Sequence, residues 1–214
     1  MQLFDDISLF DEGTKRFTDF ALPGDDLRLW EQFFPKRVSD HYFQKLLLET
    51  PWQQRLRKMY DKMLPDPRLT ACYGGKSGLE WTTELLDIKR LVEAACQISF
   101  DHVLLNYYRD GNDSVAWHSD TMSADGKHHP IASVTFGATR IFKIRCKIHG
   151  DLSSGAQWNI PLTHGSFLLM GDHMQKYYEH HVPKTSRKVG PRINLTFRIA
   201  EPGKAIYLVH PVVK

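Results

Sequence analysis

From residue 102 onward the chain is cut into short β-forming runs separated by glycine, aspartate and asparagine turns, and this punctuation limits the possible folds severely. The runs fall at 103–108, 115–120, 131–136, 140–148, 157–161, 166–170 and 193–199. With no helical pattern between them, they predict an antiparallel sandwich or barrel rather than a parallel α/β sheet. Two helical patterns precede them. After Ser39, read as an N-cap, Tyr42, Phe43, Leu46, Leu47 and Leu48 recur at helical spacing up to the break before Pro51. Leu85, Ile88, Leu91, Val92 and Ala95 repeat the pattern after Thr82-Thr83-Glu84. The expected architecture is mainly β, an all-β core buttressed by N-terminal helices. Residues 1–35 read as irregular structure laid over that core. Between the helices, Leu64-Pro65-Asp66-Pro67-Arg68 and Tyr73-Gly74-Gly75-Lys76-Ser77-Gly78 read as a mobile loop or a plain turn.

A chain of 214 residues, 42% hydrophobic and 25% charged, has the material for one sizeable core, which excludes collagen-like, low-complexity and disordered readings. Its net charge of +3 permits a polyanionic partner without identifying one. Cys72, Cys96 and Cys146 are odd in number and scattered, which argues against a disulfide framework or a cysteine zinc site and points to a reducing compartment. Neither a basic leader with an apolar stretch nor a run of about 18 apolar residues is present, so neither a signal peptide nor a membrane span is expected.

A histidine and an aspartate one residue apart project to the same side of a strand, which makes His118-Ser119-Asp120 a candidate pair of metal ligands. The triplet occurs again at His149-Gly150-Asp151, where a central glycine at the end of a strand run marks a solvated turn. The first copy continues the apolar alternation Val115-Ala116-Trp117, which favours an inward-facing strand. A third ligand is available in His180-His181-Val182-Pro183, and two histidines with one carboxylate leave open positions suited to non-haem Fe(II) and O₂ chemistry. In Arg192-Ile193-Asn194-Leu195-Thr196-Phe197-Arg198 the even positions are polar or cationic and the odd ones apolar. Such a strand either presents two guanidiniums to an anion inside a barrel or carries them in water on an amphipathic surface. Asn106 and Tyr108 likewise share one face of their run, where neutral donors suit a carboxylate.

Taken together, several strings resemble the AlkB family of Fe(II)- and 2-oxoglutarate-dependent nucleic-acid demethylases. They are Asn106-Tyr107-Tyr108-Arg109-Asp110-Gly111, Trp117-His118-Ser119-Asp120, Ile131-Ala132-Ser133-Val134-Thr135-Phe136-Gly137, His164-Gly165-Ser166, His180 ahead of Val182-Pro183, and Pro191 through Arg198. The resemblance runs from about residue 64 to 200 in unbroken order. It implies a double-stranded β-helix, or jelly-roll, core. It implies His118, Asp120 and His180 as iron ligands, with His181 a neighbour. Arg192 is implied as the partner of the distal carboxylate of 2-oxoglutarate, with Asn106, Tyr108, Asn194 and Arg198 completing that pocket. Fe(II), 2-oxoglutarate and O₂ would together oxidise a methyl group on a base nitrogen, typically of 1-methyladenine or 3-methylcytosine, releasing succinate and formaldehyde. The target base must be single-stranded or flipped out.

The same resemblance places Trp81 as a base-stacking platform opposite His118, and Arg68 and Tyr73 in a recognition lid. Lys143, Arg145 and Lys147 on one strand, and Lys184, Arg187 and Lys188 in a loop, are candidate phosphate contacts or solvated charge. Where many relatives carry acidic residues after the iron motif, Thr121 and Met122 stand here, so Met122 is expected against the substrate. The implied layout is one dioxygenase domain over 1–214, with helical support at 1–63, lid and helix at 64–100, jelly-roll core at 101–200 and a tail at 201–214. The expected partner is DNA, with RNA an open second polymer. A monomer in the cytoplasm, or in the nucleus of a eukaryote, is expected. Rival readings are a 2-oxoglutarate oxygenase acting on protein or a small molecule, and a binding module with a lapsed site.

Overall fold

The computed structural model describes residues 16–59, 61–75, 78–120, 127–147 and 156–199. Two antiparallel sheets face one another. The larger contains β1 (Thr18–Leu22), β2 (Asp25–Trp30), β5 (Leu69–Gly74), β6 (His102–Tyr108), β8 (Ile131–Gly137), β11 (Ser166–Met170) and β13 (Arg192–Arg198), in the order β1-β2-β11-β8-β13-β6-β5. The smaller contains β7 (Val115–His118), β9 (Arg140–Cys146), β10 (Gln157–Leu162) and β12 (Tyr178–Val182), in the order β10-β9-β12-β7. A separate hairpin joins β3 (Leu56–Met59) to β4 (Lys62–Pro65). This is the antiparallel sandwich that the run spacing predicts, and the jelly-roll that the resemblance implies.

The larger sheet is covered on both faces, and its central strands show it. In β13 the odd residues Ile193, Leu195 and Phe197 enter an apolar layer with α1 (Lys36–Glu49) and α2 (Thr83–Cys96). The even residues Arg192, Asn194, Thr196 and Arg198 face the smaller sheet. There a second layer gathers Leu27, Leu29, Leu168 and Met170 against Phe142, Ile144, Ile160 and Tyr178. Because β11 is buried on both faces, its sequence Ser-Phe-Leu-Leu-Met does not alternate.

α2 begins where its sequence predicts, with the Thr82 hydroxyl accepting from the Leu85 N–H at 3.3 Å, and it buries Leu85, Ile88 and Val92 completely. α1 corrects the expected start. It begins at Lys36 after Pro35, and Ser39 lies in its first turn, where the hydroxyl donates to the Phe34 carbonyl instead of capping. Phe33 and Phe34, 3% and 1% exposed, anchor the entry to the helix earlier than the Ser39 signal suggests.

Two further expectations are corrected. Residues 18–30 are not irregular: they form the β1–β2 hairpin around Gly24, in the left-handed region at φ +79°, and extend the larger sheet through β2 and β11. The segment at 1–63 is therefore not purely helical support. The expected loop at 64–78 contains β4 and the edge strand β5, whose backbone pairs with β6 from Leu69 to Gly74. Seven expected runs after 102 all become strands, while β12 escapes the reading because Tyr-Glu-His-His-Val carries three polar residues among its five. Residues 1–15, the His149-Gly150-Asp151 turn and the tail at 201–214 lie outside the described residues. Among the described residues no helix is long and apolar enough to cross a membrane.

Candidate metal centre and anion pocket

β7 and β12 are paired so that His118 stands directly opposite His180, with a register shift just beyond. The two rings lie 4.4 Å apart between centroids. Asp120 follows two residues past the end of β7, and one ligand atom from each of the three groups lies within 4.8 Å of the others. The His118 Nδ1 lies 2.8 Å from the Ala116 carbonyl, a contact that places the proton there and leaves Nε2, 3.8 Å from the Asp120 carboxylate, free to ligate. Burial pushes the His180 imidazole down to about 3, so it is neutral at physiological pH. Burial alone would raise the Asp120 carboxyl, but the Arg198 guanidinium, with His180 and His118, holds it below the usual carboxylate range. Arg198 Nη2 donates to Asp120 Oδ1 at 2.8 Å. Two imidazoles and an ionised carboxylate on one side of a cavity are the donor set for a ferrous ion with open positions.

Two buried arginines show how differently such groups can be satisfied. Arg140, 4% exposed, donates to the carbonyls of Asp110, Asp113 and Pro183 and is a structural strut. Arg192, 1% exposed, donates from Nη2 to the Thr135 hydroxyl at 3.0 Å, while Nε and Nη1 are buried without a partner among the described residues. Its guanidinium lies over the Tyr108 ring at 5.1 Å, and burial brings it down to about 10. A buried cation with two orphaned donors calls for an anion, and a carboxylate matches the guanidinium fork. This fits a dicarboxylate co-substrate bound beside the ion.

One cavity of about 170 Å³ connects the two features. His118, Asp120, His180, Asn106, Tyr108, Arg192, Asn194 and Arg198 all line it. Their roles within it differ. Asn194 spends its amide on Ser133 and Val134 and accepts from Thr196, so it braces the wall. Asn106 accepts from Arg68 Nε at 2.9 Å, and Arg68 Nη1 is buried without a partner among the described residues. Sequence reasoning missed Arg55, Ser133 and Thr196 on the cavity wall, and Thr135 behind Arg192. Hydroxyl residues within an apolar strand gave no signal of their own.

The structure does not bring every expected substrate contact to the cavity. Tyr73 is 3% exposed and belongs to the layer beneath the helices, because β5 faces the cavity with Thr70 and Cys72 and the core with Tyr73. Trp81 lies on that same far side, its ring parallel to Phe197 with centroids 6.4 Å apart. It presses on Gly74, at φ +73°, where an added Cβ would come within 2.6 Å of the indole. Tyr73 is thus a core residue by position, and Trp81 a partly buried one packed against the same layer. Met122 lies outside the described residues. In the basic stripe, Arg145 pairs with Glu179 at 2.6 Å and covers Trp117, while Lys147 donates to Ser119 and the Gln175 carbonyl. Lys184, Arg187 and Lys188 are exposed.

The model of the 2OG-Fe(II) oxygenase superfamily matches residues 26–198. Alpha-ketoglutarate-dependent dioxygenase alkB homolog 3 of Mus musculus is 36% identical over 188 residues, covering 81% of this chain and 66% of that one. DNA oxidative demethylase ALKBH2 of Homo sapiens is 33% identical over 182 residues, 77% of this chain and 70% of that one.

This chain belongs to the AlkB family.

The solved structure of OsALKBH1 shares the fold, with a TM-score of 0.61 at 18% identity, covering 86% of this chain and all of that one. The chain spans 64–66% of the length of the alkB homolog 3 proteins that it matches. Family membership implies Fe(II), 2-oxoglutarate and O₂, and the two-histidine, one-carboxylate set beside the orphaned Arg192 suits the first two.

Proposed function

We propose that this AlkB family chain oxidatively demethylates N-alkylated bases, 1-methyladenine and 3-methylcytosine, in DNA, as a repair reaction. The observation that carries the reading is the orphaned Arg192 in the same cavity as His118, Asp120 and His180. The names of the relatives, DNA oxidative demethylases among them, support the substrate class.

In this reading His118, Asp120 and His180 hold Fe(II), and Arg192 takes the distal carboxylate of 2-oxoglutarate over the Tyr108 ring. Arg198 keeps Asp120 ionised and in place. Leu104, Phe142, Leu162 and Met170 line the cavity with apolar surface that excludes water. When bound, the ferrous ion, 2-oxoglutarate and O₂ supply the oxidant that hydroxylates the methyl carbon; the hemiaminal formed on the base then collapses to formaldehyde and the unmodified base. His118, its side chain 36% exposed, provides one wall for the extruded base. Arg68 and Arg55 place positive charge at the cavity, and Lys184, Arg187 and Lys188 offer a surface for backbone phosphates. That charge favours a polynucleotide over a neutral small molecule. Cys72, Cys96 and Cys146 form no disulfide among the described residues, which supports a reducing cytoplasm or nucleus.

The test is release of formaldehyde and succinate from oligonucleotides carrying 1-methyladenine or 3-methylcytosine, with Fe(II) omitted and restored. Iron-dependent release of both products, in DNA above RNA, is expected. Succinate without formaldehyde on every methylated polymer would refute the substrate assignment.

A further inference from the structure

The metal ligands are held unequally by the fold. His118 and His180 sit in the paired β7 and β12 ladder, whereas Asp120 lies beyond the last residue of β7. No strand partner among the described residues fixes its backbone. The Asp120 N–H instead donates to Gln175 Oε1 at 2.8 Å, across 55 residues of sequence. Gln175 projects from α3 (Met174–Tyr177) and is 5% exposed, and its Nε2 is buried with no partner among the described residues. A buried amide that satisfies only its oxygen is retained at a desolvation cost, so its one bond has to matter.

A second tie converges on the same loop. Lys147 Nζ donates to the Ser119 hydroxyl at 2.9 Å and to the Gln175 carbonyl at 2.8 Å. The Ser119 hydroxyl passes its own proton to the Tyr178 carbonyl at 2.8 Å, and the Lys147 N–H donates to the Tyr177 carbonyl. Ser119 and Asp120 are thereby lashed to α3 and to the start of β12, two residues ahead of His180.

We propose that Gln175 is a positioning residue for the metal centre: through the Asp120 backbone it sets the carboxylate at the distance from His118 and His180 that one ferrous ion requires, with Lys147 as its brace. The proposal rests on the metal-centre reading above. Arg198 holds the carboxylate end of Asp120 and Gln175 the main-chain end, so the residue is clamped at both ends. Outer-shell groups that orient ligands typically change metal affinity by about 10–100-fold when removed.

Anaerobic Fe(II) titration of the full chain, followed by the visible absorbance of the ferrous 2-oxoglutarate chelate, tests this. Gln175→Leu is expected to weaken Fe(II) binding about 10–100-fold while leaving the 2-oxoglutarate requirement at saturating iron unchanged. Gln175→Glu keeps an acceptor for the Asp120 N–H and is expected to stay close to wild type. Lys147→Met is expected to weaken iron in the same direction, and less than additively with Gln175→Leu, because both act on one loop. Thermal melting of the iron-free variants separates folding from binding, and Lys147→Met decides the matter should Gln175→Leu fail to fold. Wild-type iron affinity in Gln175→Leu or Lys147→Met, or equal loss in Gln175→Leu and Gln175→Glu, overturns the proposal. A wild-type chain that takes up no iron overturns instead the metal-centre reading on which it rests.

Discussion

Arg192→Met offers an unusual sign. Most substitutions of a fully buried residue destabilise, but burial pulls this guanidinium down from its usual value to about 10. That difference corresponds to about 3 kcal/mol borne by the ligand-free protein. The folded-state value lies below the unfolded one. The penalty is therefore fully present at neutral pH, where the group is charged in both states, and is relieved only as the pH climbs above about 10. Methionine fills a similar volume without the charge. Losing the bond to Thr135 offsets about 1 kcal/mol, leaving a net gain of about 2 kcal/mol, or roughly 4–8 °C in Tm for a domain of this size. The same change removes the two donors reserved for the co-substrate, about 3 kcal/mol and on the order of a hundredfold in affinity. Scanning calorimetry with and without 2-oxoglutarate reads both effects. Wild type should be stabilised by the ligand, whereas Arg192→Met should melt higher without it and respond little to it. A variant that melts several degrees lower and still gains stability from 2-oxoglutarate would refute the reasoning.

The remaining predictions concern the far side of the larger sheet and its buried histidine. Trp81→Ala should cost about 2–4 kcal/mol by denaturant titration, because it opens the layer against Phe197, while the KM for a methylated oligonucleotide stays unchanged. A selective rise in KM would return Trp81 to the substrate. His102 is 2% exposed, and burial lowers its imidazole despite the Asp101 carboxylate at 3.0 Å. The unfolded chain takes up that proton first, so stability should fall as the pH drops below about 6.5. Urea midpoints at pH 7 and pH 5 should differ less for His102→Gln than for wild type, and equal pH slopes would contradict this.

Periodicity carried a large share of the fold and of the site. The alternation of Arg192 through Arg198 separates a core face from a polar face, and the structure keeps that division residue for residue. The run spacing after residue 102 likewise becomes the sandwich, because short antiparallel strands write their turns into local sequence. Sidedness was less legible. Tyr73 and Trp81 went to the substrate through family resemblance, but the pairing of Tyr73 with Val103, rather than with the cavity-facing Leu104, puts it behind the sheet. That register depends on tertiary pairing and leaves no local mark. Nor does sequence distinguish Arg140 from Arg192. One meets three carbonyls contributed by distant loops and the other meets almost nothing, and only the assembled fold decides which arginine awaits a ligand. Gln175 was invisible for the same reason, its bond to Asp120 spanning 55 residues.

Iron stoichiometry tests the centre itself. Anaerobic equilibration with Fe(II) and 2-oxoglutarate should load one ferrous ion per wild-type chain, and His118→Ala and Asp120→Ala should each abolish loading while remaining folded. Full loading of either variant would show that these side chains do not hold the metal.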